Sequence, residues 1–187
     1  MRGDTGDFED ERRSGWDRVG VIDWPIAHAL ALRPDRRWPV AAAKAMSRLG
    51  NGPIYLPLVA VVIFFHPREA ATIILSAAAS ILLLHCIYPL VKRAAARPRP
   101  RDVAPNFADS VPPLDKYSFP SGHVMTLTAA LTPIVHAAPR MWPFGLVVWA
   151  AMAWSRLATG DHYASDVAAG TVMGAAVSGL LTYWIAA

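Results

Sequence analysis

Residues 70–92 read AATIILSAAASILLLHCIYPLVK, an uncharged run from 70 to 91 that ends on a lysine. A helix over that run, at ~1.5 Å per residue, reaches ~33 Å, enough to cross a hydrocarbon core ~30 Å thick. A helix on a soluble domain would show water a charged face, and this one has none to show. The segment therefore belongs in lipid, with Lys92 where the chain leaves it. Residues 49–65, 117–139 and 167–187 also lack Lys, Arg, Asp and Glu. Together they predict spans at roughly 50–65, 70–92, 120–138, 141–159 and 163–187, the first with little length to spare. The expected fold class is all-α: a polytopic membrane helix bundle of about five transmembrane helices, preceded by N-terminal interfacial helices.

The composition agrees. Of 187 residues only 17% are charged and 54% are hydrophobic, which excludes a disordered chain and argues against an ordinary soluble domain. Residues 1–18, with six acids and four bases, read as a polar flexible tail, and residues 19–187 as a single membrane-embedded domain. No basic stretch leads into an apolar run and a small-residue cleavage site, which argues against a removed signal peptide. Arg33, Arg36, Arg37, Lys44 and Arg48, with Trp24 and Trp38, suit helices lying in the headgroup layer. The single cysteine, Cys86, leaves no disulfide framework or Cys-based zinc site and is expected as a free thiol in the core.

Tracing the chain across the membrane gathers its polar residues at one end. The second span delivers Lys92, and the stretch from Arg93 to Phe119, broken by five prolines, is a surface loop on that side. The third span departs from there at Pro120–His123, the fourth returns with Ser155 and Arg156, and the fifth starts with His162 and Asp166. Lys92, Arg97, Arg99, His123, Arg156, His162 and Asp166 thus share one mouth. In the fifth span Gly170, Gly174 and Ser178 recur every four residues, a stripe that lets helices approach closely.

Each part suits a phosphate ester. Lysine and arginine give counter-charge and donors to nonbridging oxygens, so a bound metal is not obligatory. Ser121, Gly122 and His123 open a helix whose free amides and positive dipole end favour an anion. His162 and Asp166 lie four apart on one helical face, where a carboxylate holds an imidazole tautomer and steadies its protonated form. An imidazole so held can attack phosphorus, and His123 can protonate the departing alkoxide. Each piece also has a structural reading: a headgroup-binding collar around Lys92–Arg101, or a His162–Asp166 pair capping a helix start. Structural accidents would scatter over both ends of the spans, so convergence on one end favours the chemical reading.

These residues resemble the signature of the type-2 phosphatidic-acid phosphatase family. Its three parts, KxxxxxxRP, PSGH and SRxxxxxHxxxD, are matched by Lys92 with Arg99 and Pro100, by Pro120–His123, and by Ser155 and Arg156 with His162 and Asp166. The resemblance implies His162 as the nucleophile that forms a phosphohistidine, Asp166 as its orienting partner and His123 as the leaving-group acid. Lys92, Arg99, Ser121, Gly122 and Arg156 would bind the phosphoryl group. It further implies no cofactor, no need of Mg²⁺, and lipid phosphates or diphosphates as substrates: phosphatidic acid, phosphatidylglycerophosphate or polyprenyl (di)phosphates. The partners are then the bilayer and the lipid phosphate, and no nucleic acid. The family commonly has six spans, one more than the hydropathy pattern predicts here, where the first is the one not evident.

Two other functions compete. A vanadate-dependent haloperoxidase shares the anion-binding motifs, but five membrane spans argue against it; a noncatalytic lipid-phosphate binder or transporter would have no use for a nucleophile and an acid. Outside the site, His85 is read as a buried, hydrogen-bonded histidine, His136 as lying near the opposite membrane face, and Asp161 as a turn or cap residue pointing away. With five spans, 16 of the 18 Lys and Arg residues share the active face, which favours a cytoplasmic site in a bacterial inner membrane.

Overall fold

The computed structural model describes residues 20, 22–33, 35–103, 107, 112 and 115–186, so the tail expected over 1–18 lies outside the described residues. Among the described residues all regular structure is helical: α1 (22–30), α2 (Arg37–Gly50), α3 (Tyr55–Phe65), α4 (Ala70–Ala95), α5 (Pro100–Val103), α6 (Gly122–Ala137), α7 (Trp142–Ala158) and α8 (Ala164–Ala186). The fold class is the all-α membrane bundle that the apolar runs predict.

The central helix is α6, packed against α8, α4 and α7. The small-residue stripe of α8 makes this possible. A methyl group added at Gly170 would sit 2.6 Å from the Ser121 carbonyl oxygen, and one at Gly174 2.5 Å from that of Met125. Ser178 Oγ donates to the Ala129 carbonyl at 2.8 Å. Backbone therefore meets backbone, and α8 positions the first turn of α6.

Span lengths are less uniform than the hydropathy pattern. Ala70–Val103 and Ala164–Ile185 are long and apolar enough to cross a membrane. Helices α6 and α7 occur where expected but have 16 and 17 residues, ~24–26 Å. The 11 residues of α3 reach only ~16 Å, and α3 combines with α2 in a pair bent by 65° that passes the same test as one broken span or re-entrant loop. Nor is α2 simply adsorbed on headgroups. It packs on α7, with Ser155 Oγ donating to the Ala43 carbonyl at 2.7 Å.

Cys86 and His85 depart from their expected places. Both are exposed on α4, whose buried residues include Ser76, Ser80, Leu84 and Lys92, while Leu75, Leu82 and Leu90 face outward. In lipid an outward leucine loses nothing, and a serine lets helices approach, so apolarity does not mark the inner face. His85 is hydrogen-bonded as expected, though not buried: Nδ1 lies 2.9 Å from the Ile81 carbonyl one turn back.

Candidate active site

Four helix ends meet at one cavity of about 620 Å³, lined among others by Lys92, Arg99, Gly122, His123, Arg156 and His162. Lys92 comes from the last turns of α4 and Arg99 from the segment after it; Gly122 and His123 begin α6, Arg156 ends α7, and His162 sits in the turn before α8. That turn is tight. Gly160 takes φ +66° after α7, and the amides of Asp161 and His162 both donate to the Arg156 carbonyl at 3.1 Å. Ser121 and Asp166 are buried beside it, and the Ser121 amide donates to the Asp166 carbonyl at 3.0 Å, which ties the start of α6 to the first turn of α8.

His162 Nδ1 donates to the Ser118 carbonyl at 2.7 Å, and Asp166 Oδ2 lies 3.7 Å from the same nitrogen. A carbonyl only accepts, so the hydrogen is at Nδ1 and the lone pair is at Nε2. Burial and then the positive charges of Arg156, Arg99 and Lys92 hold the ring's pKa well below its ordinary value, so the ring is neutral and nucleophilic near neutral pH. The direct hold on the tautomer thus comes from Ser118, and Asp166 acts from just outside hydrogen-bond range. Asp166 is itself fixed by the Tyr163 amide at 2.8 Å and Arg97 Nη1 at 2.7 Å.

The cations divide into two groups. Arg97 turns to Asp166 and, through Nη2, to Asp23 of α1 at 2.7 Å; Asp23 in turn accepts the Ser165 amide at 3.1 Å and caps α8 from across the fold. Lys92, Arg99 and Arg156 line the cavity. Arg99 Nε, Arg156 Nε and Ser121 Oγ are buried without a hydrogen-bond partner among the described residues. Such groups are expensive unless they serve a ligand.

Two carboxylates that the sequence reading leaves out of the site organise these cations. Asp161 does not point away: fully buried, it pairs with Arg101 at 2.9 Å and Arg156 at 3.1 Å. Burial opposes its ionisation, but Arg156 and Arg101 prevail and hold its carboxyl below the ordinary value. Asp115 of the loop bridges Lys92 Nζ at 2.6 Å and Arg99 Nη2 at 2.7 Å and accepts from the Tyr88 hydroxyl. Burial pushes its carboxyl up, and the bonds from Lys92 and Tyr88 outweigh that to bring it below the ordinary value. Arg156 also donates to Ser47 of α2. His123 Nε2 lies 2.7 Å from Asn51 Oδ1, in the elbow between α2 and α3. His85 lines the cavity too, whereas His136 is exposed in the last turn of α6. Nothing local marks Asp115 or Ser118 in the sequence, while Asn51-Gly52-Pro53 is a turn signal that marks the elbow and not the role of Asn51.

Beside the cavity runs an apolar slot of about 140 Å³ between α3, α4 and α6, with Tyr55 and Ile81 lining both. The arrangement is suited to an anion: buried cations and a neutral imidazole line one cavity, which adjoins an apolar groove.

A family model described as the PAP2 superfamily matches residues 71–187, more than half of the chain. The decaprenylphosphoryl-5-phosphoribose phosphatase of Mycobacterium tuberculosis is 33% identical over 150 residues, covering 79% of this chain and 81% of that protein. An undecaprenyl-diphosphatase of Sulfolobus acidocaldarius is 26% identical over 135 residues, 71% of this chain and 64% of that protein. Among solved structures, a PAP2-type phosphatidylglycerolphosphate phosphatase from Bacillus subtilis superposes with a TM-score of 0.65 at 22% identity, covering 89% of this chain and 86% of its own. LpxE of Aquifex aeolicus gives 0.63 at 19%, over 87% and 95%. These two likenesses are of fold.

Proposed function

The chain belongs to the PAP2 superfamily, and on that premise we propose that it dephosphorylates a polyisoprenoid-anchored phosphate ester through a phosphohistidine on His162. It is an integral membrane lipid phosphatase, a reading supported by its family, its lipid-phosphatase relatives and its helices long and apolar enough to cross a membrane. Residues 19–187 form the working domain. The polyisoprenoid reading draws on the relatives that cover most of the chain, which are named for decaprenyl- and undecaprenyl-linked substrates.

The observation that carries the reading is a single cavity walled by His123, His162 and three cations, with unpartnered donors on Arg99, Arg156 and Ser121 beside it. In the first step His162 Nε2 attacks phosphorus while the bond to the lipid oxygen breaks and His123 gives that oxygen a proton. Lys92, Arg99, Arg156, Ser121 Oγ and the Gly122 amide hold the nonbridging oxygens as charge moves onto them. Asp166 and the Ser118 carbonyl keep the Nδ1 hydrogen in place while the ring becomes cationic. Water, deprotonated by His123, then cleaves the P–N bond and releases phosphate. The isoprenoid tail leaves by the apolar slot.

The test is phosphate release from a panel of lipid phosphates and diphosphates in EDTA, with wild type and His162→Ala. Turnover by wild type and a phosphohistidine trapped only when His162 is present are expected; activity surviving the substitution removes the nucleophile. Orthovanadate inhibits under this reading, and halide oxidation on its addition would support the haloperoxidase instead. The charge asymmetry supports a cytoplasmic site in a bacterial inner membrane. After Cys86→Ala, a cysteine introduced within 102–116 should resist an impermeant reagent in intact cells, and its labelling reverses that orientation.

A further inference from the structure

Helix α2, expected at the headgroup layer, and α3, expected as the first span, meet at an elbow in the active-site wall. Asn51 follows the last residue of α2, at φ −75° and ψ 3°, and its amide donates to the Arg48 carbonyl at 3.1 Å, so its backbone is fixed. Its side-chain oxygen accepts from His123 Nε2 at 2.7 Å. The preceding residue makes the approach possible. A methyl group on Gly50 would lie 2.6 Å from His123 Cδ2 and 2.5 Å from Met152 Cε. The Cδ2–Nε2 edge of the ring is therefore seated against the elbow, and Gly50 and Asn51 both line the cavity.

We propose that Asn51 is the positioning residue of His123, setting its ring orientation and tautomer for proton transfer to the leaving oxygen. The inference rests on the reading of His123 as the leaving-group acid. Asn51 is well suited to that task because a carboxamide orients an imidazole without adding a charge. A carboxylate there would favour the imidazolium before substrate arrives; with an amide, the bound phosphate itself supplies the negative charge that keeps the ring protonated. The charged groups already around the ring are Arg156 of α7, Arg99 after α4, Asp115 of the loop and Asp161 of the α7–α8 turn. The elbow of α2 and α3 contributes a neutral partner to this set.

General acid catalysis matters in proportion to how poor the leaving group is, and this gives a readout that a purely structural role would not move. A lipid alkoxide needs its proton; p-nitrophenolate leaves without one. Asn51→Ala should lower kcat/KM on a polyprenyl monophosphate in detergent by about 10- to 100-fold, part of the ~10²–10⁴ that a general acid supplies. On p-nitrophenyl phosphate kcat/KM of the same variant, which reports the steps up to the phosphohistidine and not its hydrolysis by His123-activated water, should stay within about threefold of wild type. Asn51→Asp keeps the acceptor and adds a charge, so it should retain lipid turnover while the basic limb of its pH profile moves to higher pH.

Equal losses on the two esters, no loss on either, or an unshifted Asn51→Asp profile would overturn the inference. His123→Ala measured in parallel separates the two levels. If His123→Ala discriminates between the esters and Asn51→Ala does not, the inference alone falls. If His123→Ala does not discriminate, the acid role is wrong and the inference falls with it. Should Asn51→Ala aggregate, the Asn51→Asp profile carries the test.

Discussion

Arg97→Met should destabilise the protein by about 3–5 kcal/mol, the usual cost of removing one partner from a buried ion pair. Arg97 is 2% exposed and bridges Asp166 and Asp23, each at 2.7 Å, from separate guanidinium nitrogens. The methionine would fill the space and strand two buried carboxylates. Each keeps a backbone donor, Tyr163 N for Asp166 and Ser165 N for Asp23, which limits the loss without cancelling it. For a chain of this size ~1 kcal/mol moves Tm by ~2–4 °C, so the melting point should fall by about 6–20 °C, read by tryptophan fluorescence in detergent. Arg97→Lys should fall between. An ammonium keeps the charge but lacks the fork that reaches both carboxylates, and it loses the stacking over Tyr163, where the guanidinium carbon lies 3.8 Å from the ring centre. Asp23→Asn should cost less in the Arg97→Met background than in wild type, by ~1–3 kcal/mol, because the pair is already broken. A Met variant melting within about 2 °C of wild type, or strictly additive losses in the double variant, would refute the bridge.

Gly170→Ala and Gly174→Ala should each cost ~1–3 kcal/mol, since the added methyl meets backbone at 2.6 and 2.5 Å; Gly179→Ala, with nothing within 4 Å, should be neutral or slightly stabilising in the same melts. Gly170→Ala should also impair turnover more than Gly174→Ala, because it pushes on Ser121. The His162 ring should be neutral at pH 6 by histidine-labelled NMR in micelles: with its pKa depressed, protonation occurs only as pH falls below the ordinary ~6.5, and a ring already charged at pH 6 contradicts the site's electrostatics. Asp115→Asn removes a carboxylate that shares Lys92 and Arg99 with the substrate. Inhibition by inorganic phosphate should tighten by about fivefold, ~1 kcal/mol for a charge that is 29% exposed, and weaker inhibition would show that Asp115 aligns these cations for phosphate.

Much of the site is legible in the sequence because its spacing is helical or its chemistry lies in the side chain. Lys92 ends an uncharged run, His123 lies near the start of another, and His162 is four residues from Asp166, so membrane topology alone brings them to one end; His162 nevertheless sits in the turn before α8 and does not share a helical face with Asp166 as the spacing predicts. Hydropathy reports much less about which side of a helix faces inward. Cys86 faces out and Ser76 and Ser80 face in, because lipid and protein interior are alike to an apolar side chain. Charge alone reads 49 to 65 as one continuous segment; Asn51-Gly52-Pro53 signals a turn there, but only the folded chain, with its 65° bend, makes that turn an active-site wall.

By itself the sequence determined that this chain lives in a bilayer, that it brings four cations and two imidazoles to one surface, and which side chains carry the proposed chemistry. The tertiary structure decided how those groups are held. Ser118, not Asp166, is the direct acceptor of the His162 Nδ1 hydrogen; Arg97 braces Asp166 while Arg99, two residues on, lines the cavity; Asp161 anchors Arg156 and Asn51 steadies His123. The reason is physical: every residue offers a carbonyl, and an arginine or an amide acquires its role from whichever acceptor or donor the folded chain brings within 3 Å of it.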